Sequence, residues 1–126
     1  MGCGDWNDGM NLVGAEGKGE SVWLAFFLYD ILHKFSRLAE QRGDQQFAER
    51  CLAEATRLQQ NVEKHAWDGE WYRRATFDDG KWLGSKDSEE CRIDSIAQSW
   101  AVLSGAADPA RAAMAMESLE KHLIRR

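Results

Sequence analysis

The 126 residues, 44% hydrophobic and 29% charged with a single proline, describe one folded domain rather than a disordered segment. The 16 Lys and Arg against 21 Asp and Glu leave a net charge of −5 and a pI near 5.2. That balance excludes nonspecific nucleic-acid binding, which needs a basic stripe to displace counterions from phosphates. The longest apolar run, Val22–Leu32, is interrupted by Asp30 and falls short of the ~20 residues a membrane span requires. The start is Gly-rich and acidic, without the basic region of a secretion signal, and Trp6 stands where a myristoylation pattern wants Ser or Thr. Cys3, Cys51 and Cys91 make no CxxC pair and have no His at zinc-ligand spacing. Reduced thiols in the cytoplasm and no metal site are therefore expected.

Residues 1–19 hold six of the eleven glycines and read as a loop with several turns. A helix follows from Glu20. Its opening run, Val22 to Tyr29, is apolar all round, which predicts burial on nearly every side. Gly43 ends it and Asp44 caps a second helix reaching Ala66, with Phe47, Cys51, Ala55, Leu58 and Val62 on one stripe. The short connection favours an antiparallel pair, an inner helix backed by an outer one.

Residues 67–86 break the rhythm. Asp68-Gly69 and Asp79-Gly80 are tight-turn dipeptides among Trp67, Trp71, Tyr72, Phe77 and Trp82, so a hairpin of Glu70–Phe77 against Lys81–Gly84 is expected. Asp87 and Glu90 have capping-box spacing for a helix from about Ser88, buried through Ile93, Ile96, Ala97, Trp100 and Leu103 and ended by Gly105. Asp108-Pro109 then supplies an N-cap and first-turn proline for a last helix with Ala112, Met116, Leu119 and Leu123 on its stripe. The fold class is all-α with a small hairpin near 70–84. Cys51 and Cys91 are expected as small core residues within helices.

The densest chemistry lies in Gly4-Asp5-Trp6-Asn7-Asp8-Gly9-Met10-Asn11. An indole offers a platform for the C–H face of a sugar, and Asp and Asn supply acceptors and donors for its hydroxyls. A carboxyl desolvated against an indole suits general-acid work at neutral pH. An Asx-rich surface loop is the bland alternative, while the EF-hand calcium spacing fails here. Arg92, Asp94 and Gln98 lie near the start of a predicted inner helix, Asp94 and Gln98 one turn apart. They line a cavity or form a buried hydrogen-bond network. For Trp71, Tyr72 and Trp82, hairpin packing is favoured over a sugar platform.

The Gly4–Asn11 run, followed by Val13-Gly14 and Gly19-Glu20-Ser21-Val22-Trp23-Leu24, resembles glycoside hydrolase family 94. Trp67-Asp68-Gly69-Glu70-Trp71-Tyr72-Arg73-Arg74 and Cys91-Arg92-Ile93-Asp94-Ser95-Ile96-Ala97-Gln98-Ser99-Trp100 extend the likeness, as does Gly105 to Arg111. The family contains cellobiose, chitobiose and β-1,2-oligoglucan phosphorylases. The nearer likeness is to the C-terminal phosphorylase-like region of bacterial cyclic β-1,2-glucan synthases, and it covers essentially the whole chain.

The resemblance implies part of an (α/α) toroid, residues 1–126 being a partial catalytic domain and 1–19 its catalytic loop. It implies Asp8 as general acid, Trp6 bordering the sugar subsite and a supporting role for Asp5, with Asn7, Asp94, Gln98 and Arg92 as further candidates for sugar contact. The implied reaction is inverting phosphorolysis of β-linked glucosides, β-1,2-glucan favoured, with inorganic phosphate as co-substrate and no metal or other cofactor. The family's phosphate-binding His and Thr-Gly pair lie further toward the C-terminus, and His33, His65 and His122 do not match them. The chain is thus expected to be an inactive piece of a longer protein, whose inner-membrane attachment stays open. An inverting hydrolase of the same fold and a non-catalytic glucan-binding module are the alternatives. Apolar surface on Val22–Leu32, exposed by an opened ring, implies self-association.

Overall fold

Each helix begins where a short polar side chain satisfies backbone N–H groups that have no partner within the helix. The computed structural model describes residues 1 and 7–125. Ser21 Oγ accepts from Leu24 N to start α1 (Val22–Gln41), and Asp44 accepts from Phe47 N at 3.0 Å to start α2 (Gln45–His65). Asp108 accepts from Ala110 N and Arg111 N ahead of Pro109 in α4 (Pro109–Leu123). The caps at Asp44 and Asp108 and the all-α class with a small hairpin agree with the sequence, and Ser21 is a cap the sequence reading did not name.

α1 packs along α2 and also against α3 (Ser95–Leu103), and α3 packs against α4. The packing order is therefore α2-α1-α3-α4. Trp23 stacks on Trp100 with ring centroids 5.9 Å apart, and Phe27 meets Trp100 edge-on at 5.1 Å, which ties α1 to α3. The core gathers Val22 and Phe26 of α1, Val62 of α2, Trp71, Tyr72, Ile93, and Ala97 and Ala101 of α3.

Several expectations are corrected. α3 starts at Ser95, not near Ser88, because Asp94 rather than Asp87 is the cap. The segment before it is bound to the hairpin region instead of coiling. Ser88 Oγ donates to Trp82 O, the Arg92 carbonyl accepts from the Trp71 indole at 3.0 Å, and Cys91 takes φ 48°. Cys91 is accordingly exposed and outside any helix, whereas Cys51 is buried in α2 as expected. The hairpin is also shorter than its pattern. Only β1 (Ala75–Thr76) and β2 (Trp82–Leu83) pair, antiparallel, with lone bridges linking Ser21 to Ala75 and Trp67 to Tyr72. Finally, α1 is not covered all round, since Leu28 and Phe35 are 40% and 50% exposed. In α4 the buried positions are Ala115 and Ser118, one residue off the predicted stripe, and Met116 and Leu123 face out.

Gly84 lies against the backbone of the Arg74 segment. A Cβ built on it would stand 2.7 Å from Arg74 Cβ and 2.8 Å from Arg74 N, and its φ of +76° is unfavourable for any L side chain. Gly80, at φ +83°, has open space around it. Gly84→Ala should therefore cost about 2–4 kcal/mol, conformational strain plus overpacking, against about 1–2 for Gly80→Ala. Urea unfolding of the two variants should separate them, and equal losses would mean that the close approach is not a constraint.

Candidate active site

The loop carrying the predicted acid is a single 3-10 turn, Asp8–Met10. Asn7 caps it, its Oδ1 accepting from Gly9 N at 3.0 Å, and the turn closes with Met10 N donating to Asn7 O at 2.9 Å. Asp8 sits in its first turn with an exposed side chain. Asp5 and Trp6 lie outside the described residues.

Behind the turn the chain is fastened to the hairpin. Asp78 accepts from the backbone N–H groups of Glu16 at 2.8 Å, and of Lys18 and Gly19 at 2.9 Å each. These donors, Glu16 first, hold the Asp78 carboxyl below the usual carboxylate range. Asp78 N donates to Val13 O, and Thr76 N to Glu20 O at 2.9 Å. A Cβ at Gly19 would stand 2.5 Å from Thr76 O, so only glycine allows this approach.

Arg74 lies beneath the turn with its side chain 1% exposed. Its Nη2 meets Met10 Sδ at 3.3 Å, its Nη1 donates to Ser21 Oγ at 2.9 Å, and its Nε lies 3.6 Å from Asp94 Oδ1. The structure thus brings Asp94 and the turn carrying Asp8 to one buried cation. It does not gather the other candidates there. Gln98 is fully buried, its amide spent on backbone: Oε1 accepts from Tyr72 N, and Nε2 donates to Tyr72 O and Asp94 O, all within 2.9 Å. Of the two possibilities for this side chain, the hydrogen-bond network is the one it makes. Arg92 is exposed and its Nε donates to Lys86 O.

The remaining aromatic and charged residues of the 67–86 region hold the frame. Trp71 is buried, and Trp82 lies under the Arg73 guanidinium at 4.9 Å. Arg73 in turn pairs with buried Asp68 at 2.6 Å. Tyr72 donates to Glu63 at 2.6 Å, and burial together with that carboxylate pushes its phenol far above its ordinary range. Among the described residues no cluster of His, Cys, Asp and Glu could hold a metal ion, and no helix is long and apolar enough to cross a membrane. An open groove of about 730 Å³ runs between α1, α2 and the hairpin, lined by Leu24, Leu28, Leu58, Val62 and Trp82. Asp8 does not line it.

This arrangement of a capped, exposed carboxylate ahead of a helical frame coincides with a match along residues 1–126 to the glycosyl hydrolase 94 superfamily, catalytic domain. The chain belongs to this superfamily. Cyclic beta-(1,2)-glucan synthase NdvB of Rhizobium meliloti is 46% identical over 121 residues, which are 96% of this chain and 4% of that protein. Solabiose phosphorylase of Paenibacillus borealis is 40% identical over 121 residues, 95% of this chain and 16% of that protein. Cellobionic acid phosphorylase of Neurospora crassa is 37% identical over 120 residues, 95% of this chain and 15% of that protein. The chain spans between 4% and 16% of the length of these glycosyl hydrolase 94 relatives.

Sequence reasoning missed Arg74 and Asp78. Both stand in the hairpin region, where no periodicity marks a polar side chain that binds a distant segment. The one available signal was Arg74 inside the Trp71-Tyr72-Arg73-Arg74 run, a charged residue next to aromatics and followed by a small alanine.

The Asp78 pKa is lower in the folded chain than in the unfolded one. Its contribution to holding the loop is therefore complete above the unfolded value and is lost as pH falls through the folded value. An NMR titration should give Asp78 a midpoint below that of a free aspartate, with the Glu16, Lys18 and Gly19 amide signals moving at the same midpoint. A midpoint at or above the free value would show that the three bonds do not persist in solution.

Proposed function

We propose that the chain is part of the (α/α) toroid of a carbohydrate-active enzyme that cleaves or forms β-linked glucosides by inverting phosphorolysis, β-1,2-glucan favoured, with Asp8 as general acid. Membership of glycosyl hydrolase 94 and relatives named as glucan synthase and disaccharide phosphorylases support the class. The packing order α2-α1-α3-α4 supports the architecture, since two helical hairpins of a toroid place α1 and α3 side by side on the inside, backed by α2 and α4. The observation that carries the mechanism is the exposed Asp8 carboxyl on a turn capped by Asn7 and joined through Met10 to buried Arg74.

In this reading Asp8 gives its proton to the oxygen bridging the two sugars. The anomeric carbon–oxygen bond breaks as an oxygen of inorganic phosphate attacks that carbon from the opposite face, giving α-glucose 1-phosphate with inversion. A hydrolase would need a second carboxylate to activate water. Phosphate is already an anionic nucleophile, so one acid suffices, and no metal enters the step. Trp6 and Asp5 belong to the same sugar site in this reading, with Asn7 setting the turn.

In the longer protein, Asp8→Asn should lower phosphate-dependent release of glucose 1-phosphate from β-1,2-oligoglucan by about 10²- to 10⁴-fold while glucan binding persists. Undiminished release would remove Asp8 from the role. A protein that binds glucan but never turns it over would instead be a binding module.

The same reading leaves part of α1 without a partner in the isolated chain. Leu28 and Phe35 are exposed on α1, and Leu103, 69% exposed, ends α3. Gel filtration of the 126 residues should show self-association that grows with concentration. A monomer at every concentration would argue against it.

A further inference from the structure

A guanidinium taken out of water is costly unless its hydrogen bonds and charge are met. Arg74 is nonetheless almost fully enclosed, and its place is fixed by its own backbone: Arg74 N donates to Leu83 O at 2.9 Å, and Arg74 O accepts from Val22 N at 3.0 Å. The side chain reaches the residues that begin two helices, Ser21 of α1 and Asp94 of α3. Helix N-termini carry partial positive charge, so a cation there is opposed by both dipoles, an opposition the Asp94 carboxylate offsets in part. The planar fork of Arg74, however, touches three separate segments at once. The third is Met10, two residues beyond Asp8 in the same closed turn.

We propose that Arg74 is the positioning residue of the acid turn: by holding Met10 against the starts of α1 and α3, its guanidinium fixes where the Asp8 carboxyl stands relative to the glucoside. This rests on the assignment of Asp8 as general acid. A carboxyl moved by about 1 Å loses roughly 10²-fold in rate, so a buried fork with three anchors accounts for what a flexible Gly-rich loop could not hold by itself.

The test uses the longer protein, inorganic phosphate and two substrates. With β-1,2-oligoglucan the leaving oxygen must receive a proton as the anomeric C–O bond breaks and the phosphate oxygen bonds to carbon. With 2,4-dinitrophenyl β-glucoside the same bonds break and form, but dinitrophenolate departs as a stable anion and needs no proton. Arg74→Met keeps the length and removes the fork. It should lower kcat on the glucan by about 10- to 100-fold, leave KM within a few-fold, and change kcat on the aryl glucoside by less than about 3-fold. Arg74→Lys should recover part of the loss. Met10→Ala, which leaves the buried frame untouched, should show the same selectivity to a smaller degree, and it serves if Arg74→Met does not fold. Asp8→Asn is the reference. If it does not separate the two substrates, the acid assignment itself fails and the proposal falls with it. If it does separate them while the Arg74 and Met10 variants lower both substrates equally, Arg74 holds the fold without positioning the acid and the proposal is overturned.

Discussion

Burying an extended segment obliges each of its backbone groups to find a partner, and residues 71–76 impose that requirement on almost everything around them. Tyr72 gives both its N–H and its carbonyl to the Gln98 amide. Arg73 N donates to Ala66 O, Arg74 bonds to Leu83 and Val22, and Thr76 N donates to Glu20 O. The end of α2, the start of α1, strand β2 and helix α3 are thus all bound to one short run of chain. Tyr72 and Ala75, both fully buried, fill the space between them.

The candidate site grows out of that arrangement. Segment 71–76 fixes the start of α1 through Val22 and carries the Arg74 guanidinium toward Met10 and Asp94. Asp78, just beyond it, collects the N–H groups of Glu16, Lys18 and Gly19. A loop rich in glycine has high conformational entropy to lose, and these bonds offset part of that cost. Asp8 can therefore be exposed at the tip while the chain on its C-terminal side is anchored. A second charged group adds to the frame: Glu63 receives Tyr72, Arg111 and the N–H of Asp108 and binds α2 to the start of α4.

Motifs transferred better than periodicity. The caps at Asp44 and Asp108 were legible because capping needs only a local side chain and the next turn of backbone. The box at Asp87 and Glu90 satisfied the same local rule and formed no cap, since Ser88 and Arg92 found partners across the hairpin that a helix would have denied them. The all-apolar opening of α1 foretold burial, yet burial depends on which neighbours are present, and Phe35 and Leu28 have too few. The spacing put Gln98 and Asp94 on one helix face, but Asp94 is the extended N-cap of α3 and Gln98 meets its backbone carbonyl. Spacing could not tell whether the amide met a ligand or the chain.

The sequence by itself determined the four helices, the polar starts of α2 and α4, the turn-rich segment between the pairs and, through its ordered motifs, the family. All of these depend on contacts within a few residues or on residue identity in order. Only the tertiary structure decided that Gln98 spends its amide on Tyr72, that Asp78 gathers a distant loop, and that Arg74 stands between Met10, Ser21 and Asp94. Those bonds join positions about 20 to 65 residues apart in the chain. For Gln98 and Arg74 their formation is dictated by the cost of leaving a buried polar group unpaired, and for Asp78 by three backbone donors that only the folded chain brings to one carboxylate.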